Sequence, residues 1–128
     1  MDRISVLIFV ESRYKVNRKR IKQTVKNALD KNAISGPVEV SIAIVGDRKM
    51  RELSKKYKSE DKTRSILSFS QTEGETVNVP NDVLRLGDIV LSYPQVINDS
   101  VRDETLVDDK VDELVEHGLM HLLGLHHE

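Results

Sequence analysis

The sequence predicts an α+β fold: a single domain over residues 1–128 in which a mixed β-sheet of about four strands packs with helices and a C-terminal helix closes the chain. Three observations carry this. Val38, Val40, Ile42 and Ile44 alternate with Glu39, Ser41 and Ala43 in the period of a strand, and segments of helical period stand before and after them. The chain shows no internal repeat, low-complexity tract or linker. Its 128 residues suffice for one core without cross-links, and it has no cysteine to form any.

Taken in order, Ile4 to Val10 is a β-branched-rich run suited to a buried strand. Asn17 can cap a helix running to about Ala33, with Ile21, Val25, Ala28 and Leu29 on one face and Arg18, Lys19, Lys22 and Lys26 on the other. Gly36-Pro37 breaks the chain before the alternating strand. Asp47 is placed as the N-cap of a second helix, in which Met50, Leu53 and Tyr57 form the inward stripe and Arg48, Lys49, Arg51, Lys55 and Lys56 stay outside. Ile66 to Phe69 reads as a short strand, and Gln71 to Leu86, with little periodicity, as a hairpin or an excursion. Gly87 to Leu91 is a further strand, with Asp88 closing a loop at its start; Pro94 opens a short helix ending near Arg102. From about Glu104 a last helix begins, whose apolar face is Val107, Val111, Leu114, Val115, Gly118 and Leu122.

Net charge is −1, but it is unevenly spread: up to Arg64 there are 17 Lys and Arg against 8 Asp and Glu, and beyond it 3 against 13. A basic half followed by an acidic half hints at an anionic partner for the first. The N-terminus lacks the basic lead and cleavage site of a signal peptide, and no stretch is long enough to span a membrane, so a cytoplasmic location is expected.

All four histidines fall in the last stretch, His117-Gly-Leu-Met-His121-Leu-Leu-Gly124-Leu-His126-His127. At about 100° per residue, His117 and His121 lie side by side on the flank of the apolar stripe, where two imidazoles can share one metal. Gly124 suits the helix end, because it can take the left-handed conformation that reverses the chain and brings His127 back beside the pair. Three imidazoles and an open position describe a catalytic zinc site on the C-terminal helix, where a bound water is acidified to a pKa near about 7. Histidines at relative positions 0, 4 and 10 with glycine at 7 also match the metzincin proteases. Those enzymes carry a glutamate general base directly after the first histidine; here that position is Gly118, and Glu116 points about 100° away from His117.

With those residues in view, the sequence resembles the YbeY endoribonucleases. Their pattern H-G-x-L-H-L-x-G-Y-D-H is similar to His117–His127; Y-R-G-x-D-K-x-T-[DN]-V-L-S-F-P is similar to Tyr57–Ser70; and L-G-D-I-V stands at Leu86–Val90. The resemblance implies one zinc ion per chain on His117, His121 and His127. It further implies single-stranded RNA as substrate, with action in ribosomal RNA maturation and ribosome quality control, and ribosomal or assembly-factor proteins as partners. The family's functional arginine falls on Lys58, which keeps the charge but not the planar fork; Arg64, where the family has threonine, is either a guanidinium for substrate binding in its place or an ordinary exposed loop arginine. The catalytic assignment is thus His117 with Lys58. Leu125-His126 replaces the family's Tyr-Asp, leaving His126 as spectator, alternative ligand or donor to a ligand. Asp88 and Ser68 are read as structural. Two other readings stand beside the enzyme: a non-catalytic ribosome assembly factor with a structural metal, and a zinc peptidase whose casein hydrolysis Gly118→Glu would raise.

Overall fold

The computed structural model describes residues 4–11, 14–70 and 83–125. In chain order these form β1 (Ile4–Val10), α1 (Arg18–Lys31), β2 (Val38–Val45), α2 (Asp47–Lys58), β3 (Ile66–Ser70), β4 (Leu84–Ser92), α3 (Tyr93–Arg102) and α4 (Val107–Leu122). The strands make one four-stranded sheet in the order β1-β2-β4-β3. β1, β2 and β4 run parallel, and β3 lies antiparallel on β4 at the edge. This is the mixed sheet with helices that the alternating pattern predicts.

The period of two along β2 divides the core. Val38, Val40, Ile42 and Ile44 join Ile21, Val25 and Leu29 of α1, Val96 of α3 and Val111, Val115, Leu119 and Leu122 of α4 in one cluster. The opposite parity, Ala43 and Val45, meets Met50 and Leu53 of α2 with Leu67 and Val90. Three helices therefore cover one face of the sheet and α2 the other.

Several expectations change in detail. β1 is an edge strand, not a buried one: Ile4, Val6, Ile8 and Val10 pack inward, while Leu7 and Phe9 are 43 % and 64 % exposed on the face where α2 reaches only the neighbouring strands. Asn17 caps α1 as expected, its side chain accepting from the Arg20 N–H at 3.0 Å. α2 has Gly46 at its cap, and Asp47 is its first residue. The Asp47 carboxylate turns instead to Thr63, Ser92 and Gln95. Tyr57 is exposed, because the last turn of α2 reaches the edge strand, where Tyr57 meets Phe69 edge-on at 5.1 Å and keeps its other side in solvent. Buried Ser54 completes the inward stripe with Met50.

β4 begins at Leu84, ahead of the expected Gly87. The register passes from Glu39↔Arg85 to Val40↔Gly87, so Leu86 is an inserted residue, and the next residue, Gly87, takes a φ of 137° that glycine adopts without a Cβ penalty. Asp88 consequently sits within the strand, accepting from the Ser41 hydroxyl, and closes no loop. Of the expected excursion over Gln71 to Leu86, residues 71–82 lie outside the described part of the chain. α4 starts at Val107 rather than near Glu104, because Glu104 takes φ 55° and the Thr105 N–H returns to the Ser100 carbonyl at 2.9 Å, ending α3. Gly124 ends α4 as predicted, with φ 76° and the Leu125 N–H bonded to the Met120 carbonyl at 2.8 Å.

Candidate active site

The edge strand β3, the end of α2 and the last turns of α4 enclose a cavity of about 420 Å³. Each wall follows from local sequence. On α4, Val115, Leu119 and Leu122 face the sheet, which turns His117 and His121 to the helix flank above β3. On β3, Leu67 and Phe69 pack with α2, so the alternate residues Ile66, Ser68 and Ser70 fall on the α4 side. α2 ends in Lys58; Ser59, in the left-handed conformation at φ 55°, then swings the chain into residues 60–65, which return Arg64 to the same cavity.

Lys58, Arg64, His117 and His121, drawn from separate parts of the sequence, thus line one concave surface, joined by Ser68 and Ser70. Ser68 was expected to be structural, and its place in the wall was legible only in the alternation of β3. Asp88 is not among the lining residues. Arg64 donates to the Glu60 carboxylate at 3.2 Å, which also pairs with Lys62 at 3.2 Å. Behind the loop, the Asp47 carboxyl is held below its ordinary value: burial pushes it up, and hydrogen bonds from Ser92, Gln95 and Thr63 overcome that penalty.

The imidazoles of His117 and His121 are tilted by 54° with centroids 4.9 Å apart. A tetrahedral ion with metal–nitrogen distances of about 2.0–2.1 Å leaves its two rings about 5 Å apart, a separation this pair matches. His127, the expected third ligand, and His126 lie outside the described residues. Among the described residues no three His, Cys, Asp or Glu side chains gather as a ligand set.

Gly118 is in contact with the sheet. A Cβ built there would stand 3.0 Å from Ile89 Cδ1 and 3.1 Å from both Cγ1 and Cγ2. A glutamate at 118 would start against the sheet and have to displace Ile89, which counts against the peptidase alternative and its Gly118→Glu variant. Glu116 faces away, into a separate acidic depression with Asp109, Asp112, Glu113 and the outer side of His117.

The acidic residues of that depression also engage α1. Arg20 is tied to Asp109 and Asp112 of α4, and α1 and α2 lie on opposite faces of the sheet, so the two basic helices do not form one surface. Positive charge reaches the cavity from Lys58 of α2 and from Arg64, whereas the acidic side chains Asp109, Asp112, Glu113 and Glu116 of α4 line the other depression.

The family pattern described as Endoribonuclease YbeY matches residues 8–128. The chain belongs to this family. Endoribonuclease YbeY of Syntrophus aciditrophicus is 32% identical over 130 residues, covering 99% of this chain and 79% of that relative. Endoribonuclease YbeY of Roseiflexus sp. (strain RS-1) is 34% identical over 110 residues, covering 84% and 69%. The solution structure of TM1509 from Thermotoga maritima shares the fold with a TM-score of 0.61 at 20% identity, over 98% of this chain and 75% of that one. For this YbeY-family chain, no helix among the described residues is long and apolar enough to cross a membrane.

Proposed function

We propose that the chain is a metal-dependent endoribonuclease that cuts single-stranded RNA in ribosomal RNA maturation, residues 1–128 serving as one hydrolase domain. Family membership supports the nuclease activity. The observation that carries the mechanism is the meeting of His117 and His121 with Lys58 and Arg64 around one cavity. His117, His121 and His127 would hold one zinc ion, which supplies, when bound, a Lewis acid and an acidified water. Lys58 and Arg64 bind the phosphodiester and offset the charge that builds on its oxygens, Arg64 through a planar fork, Lys58 as a point charge. An unpaired strand can present its backbone to so confined a site, whereas a duplex cannot unstack into it without cost. Tyr57 and Phe69 are the aromatic side chains at the cavity, too few for extensive base reading, so sequence preference is low and protein partners on the ribosome direct the cut. Such work belongs to the cytoplasm.

The exposure of both histidines at a cavity favours catalysis over a purely structural metal, which is usually closed by four protein ligands. The test is cleavage of a single-stranded oligoribonucleotide by metal-replete protein, with metal content by mass spectrometry and fold by circular dichroism. Chelation abolishes cutting and leaves the fold intact, and His117→Ala behaves alike. Metal loss in His127→Ala, with retention in His126→Ala, completes the ligand set. Full activity in His117→Ala would end this reading; unfolding on chelation with no cleavage would favour the assembly factor.

A further inference from the structure

Arg64 is anchored on both sides by carboxylates that do not touch the cavity. On its N-terminal side, Thr63 Oγ1 donates to Asp47 Oδ1 at 3.0 Å, and the same oxygen accepts from the Ser92 hydroxyl at 2.8 Å and from Gln95 Nε2 at 3.1 Å. On its C-terminal side, the Ser65 hydroxyl donates to Asp99 of α3, and the Ser65 carbonyl accepts from the Ser92 N–H at 3.0 Å. The chain on either side of Arg64 is thus fastened to the start of α2 and to the β4–α3 junction. Between these two posts the Arg64 side chain stays 37% exposed and turns to the cavity.

A guanidinium grips a phosphate through two parallel N–H donors, which demands orientation as well as charge. Carried on an unanchored loop, it would pay ordering entropy each time substrate bound. We propose that Asp47 and Asp99 are positioning residues of the nuclease, holding Thr63 and Ser65 so that the Arg64 guanidinium is set in advance for the substrate phosphate. This rests on the reading of Arg64 as a phosphate contact. Burial pushes the Asp47 carboxyl up, but its three donors hold it below its ordinary value, so it is ionised at neutral pH.

The experiment is a double-mutant cycle on the metal-replete protein, read as kcat/KM for a single-stranded oligoribonucleotide. Thr63→Val and Ser65→Ala together remove both donors with little change of volume. They lower kcat/KM about tenfold when Arg64 is present, since small misplacement of a binding group is costly. In the Arg64→Ala background the same pair costs less than about twofold, a non-additivity that a general loss of stability does not produce. Asp47→Ala repeats the loss and Asp47→Asn, which keeps the acceptor oxygen, restores most of it; if Asp47→Ala does not fold, the Thr63 and Ser65 pair decides. Equal losses in both backgrounds, or no loss in either, would overturn the inference while leaving the nuclease reading intact. A parent protein that cuts no RNA would end that reading and this inference with it.

Discussion

Gly118→Ala is the sharpest test of how α4 is seated. In an open helix position the exchange of glycine for alanine stabilises by about 0.8–1.0 kcal/mol. Here the new Cβ meets three atoms of Ile89 at 3.0–3.1 Å, inside the ordinary separation of about 3.5–4.0 Å between carbons. Ile89 is fully buried and cannot swing away into solvent. Overpacking of this kind costs about 1–3 kcal/mol, so the two effects leave a net loss of about 1 kcal/mol. For a chain of this size that corresponds to a fall in Tm of roughly 3–5 °C. Urea denaturation and thermal circular dichroism on parent, Gly118→Ala, Ile89→Val and the double variant measure it. Removing Cδ1 takes away the shortest contact, so Gly118→Ala should cost less in the Ile89→Val background. A Gly118→Ala protein more stable than the parent by the full helix-propensity gain would refute the close approach of α4 to β4, and with it the account of why His117 and His121 stand on the cavity wall.

Ser59→Gly should stabilise the protein by about 0.5–1 kcal/mol, because the left-handed C-cap of α2 costs a serine more than glycine's backbone entropy costs in return; an unchanged or lower midpoint in urea counts against it. Glu60→Gln removes the charge that competes with phosphate for Arg64; exposed pairs are worth about 0.2–1 kcal/mol, so KM for RNA should fall by up to about fivefold, and a rise would show that Glu60 serves binding. Stability should also decline in acid. The Asp47 carboxyl is depressed below its ordinary 3.8, so its contribution is present above that pH and is lost as pH falls through the folded value. Tm measured against pH should therefore drop less below pH 3.8 in Asp47→Asn than in the parent, and parallel curves would remove Asp47 as a source of acid sensitivity.

What the sequence determined by itself was local. The 3.6 period places His117 and His121 side by side, Asn17 and Gly124 end their helices through bonds to near neighbours, and the period of two along β2 assigns its residues to the two faces of the sheet. The histidine spacing and the Tyr57–Ser70 stretch also carried the family. What only the tertiary structure decided depends on residues far apart in the chain. β1 became an edge strand because β4 inserted beside β2. Asp47 left its own helix end for donors on the β4–α3 junction and the loop after α2, and Tyr57 stayed exposed because its helix ends over the edge strand. Gly118, which its period placed on the apolar face of the last helix, received its partner, Ile89 of β4, only from the packing. Lys58 and Arg64 meet the histidines only because β3 pairs antiparallel at the sheet edge beneath α4. Periodicity reports which way a side chain turns from its own element; which element lies opposite is set by packing, and on that packing the cavity depends.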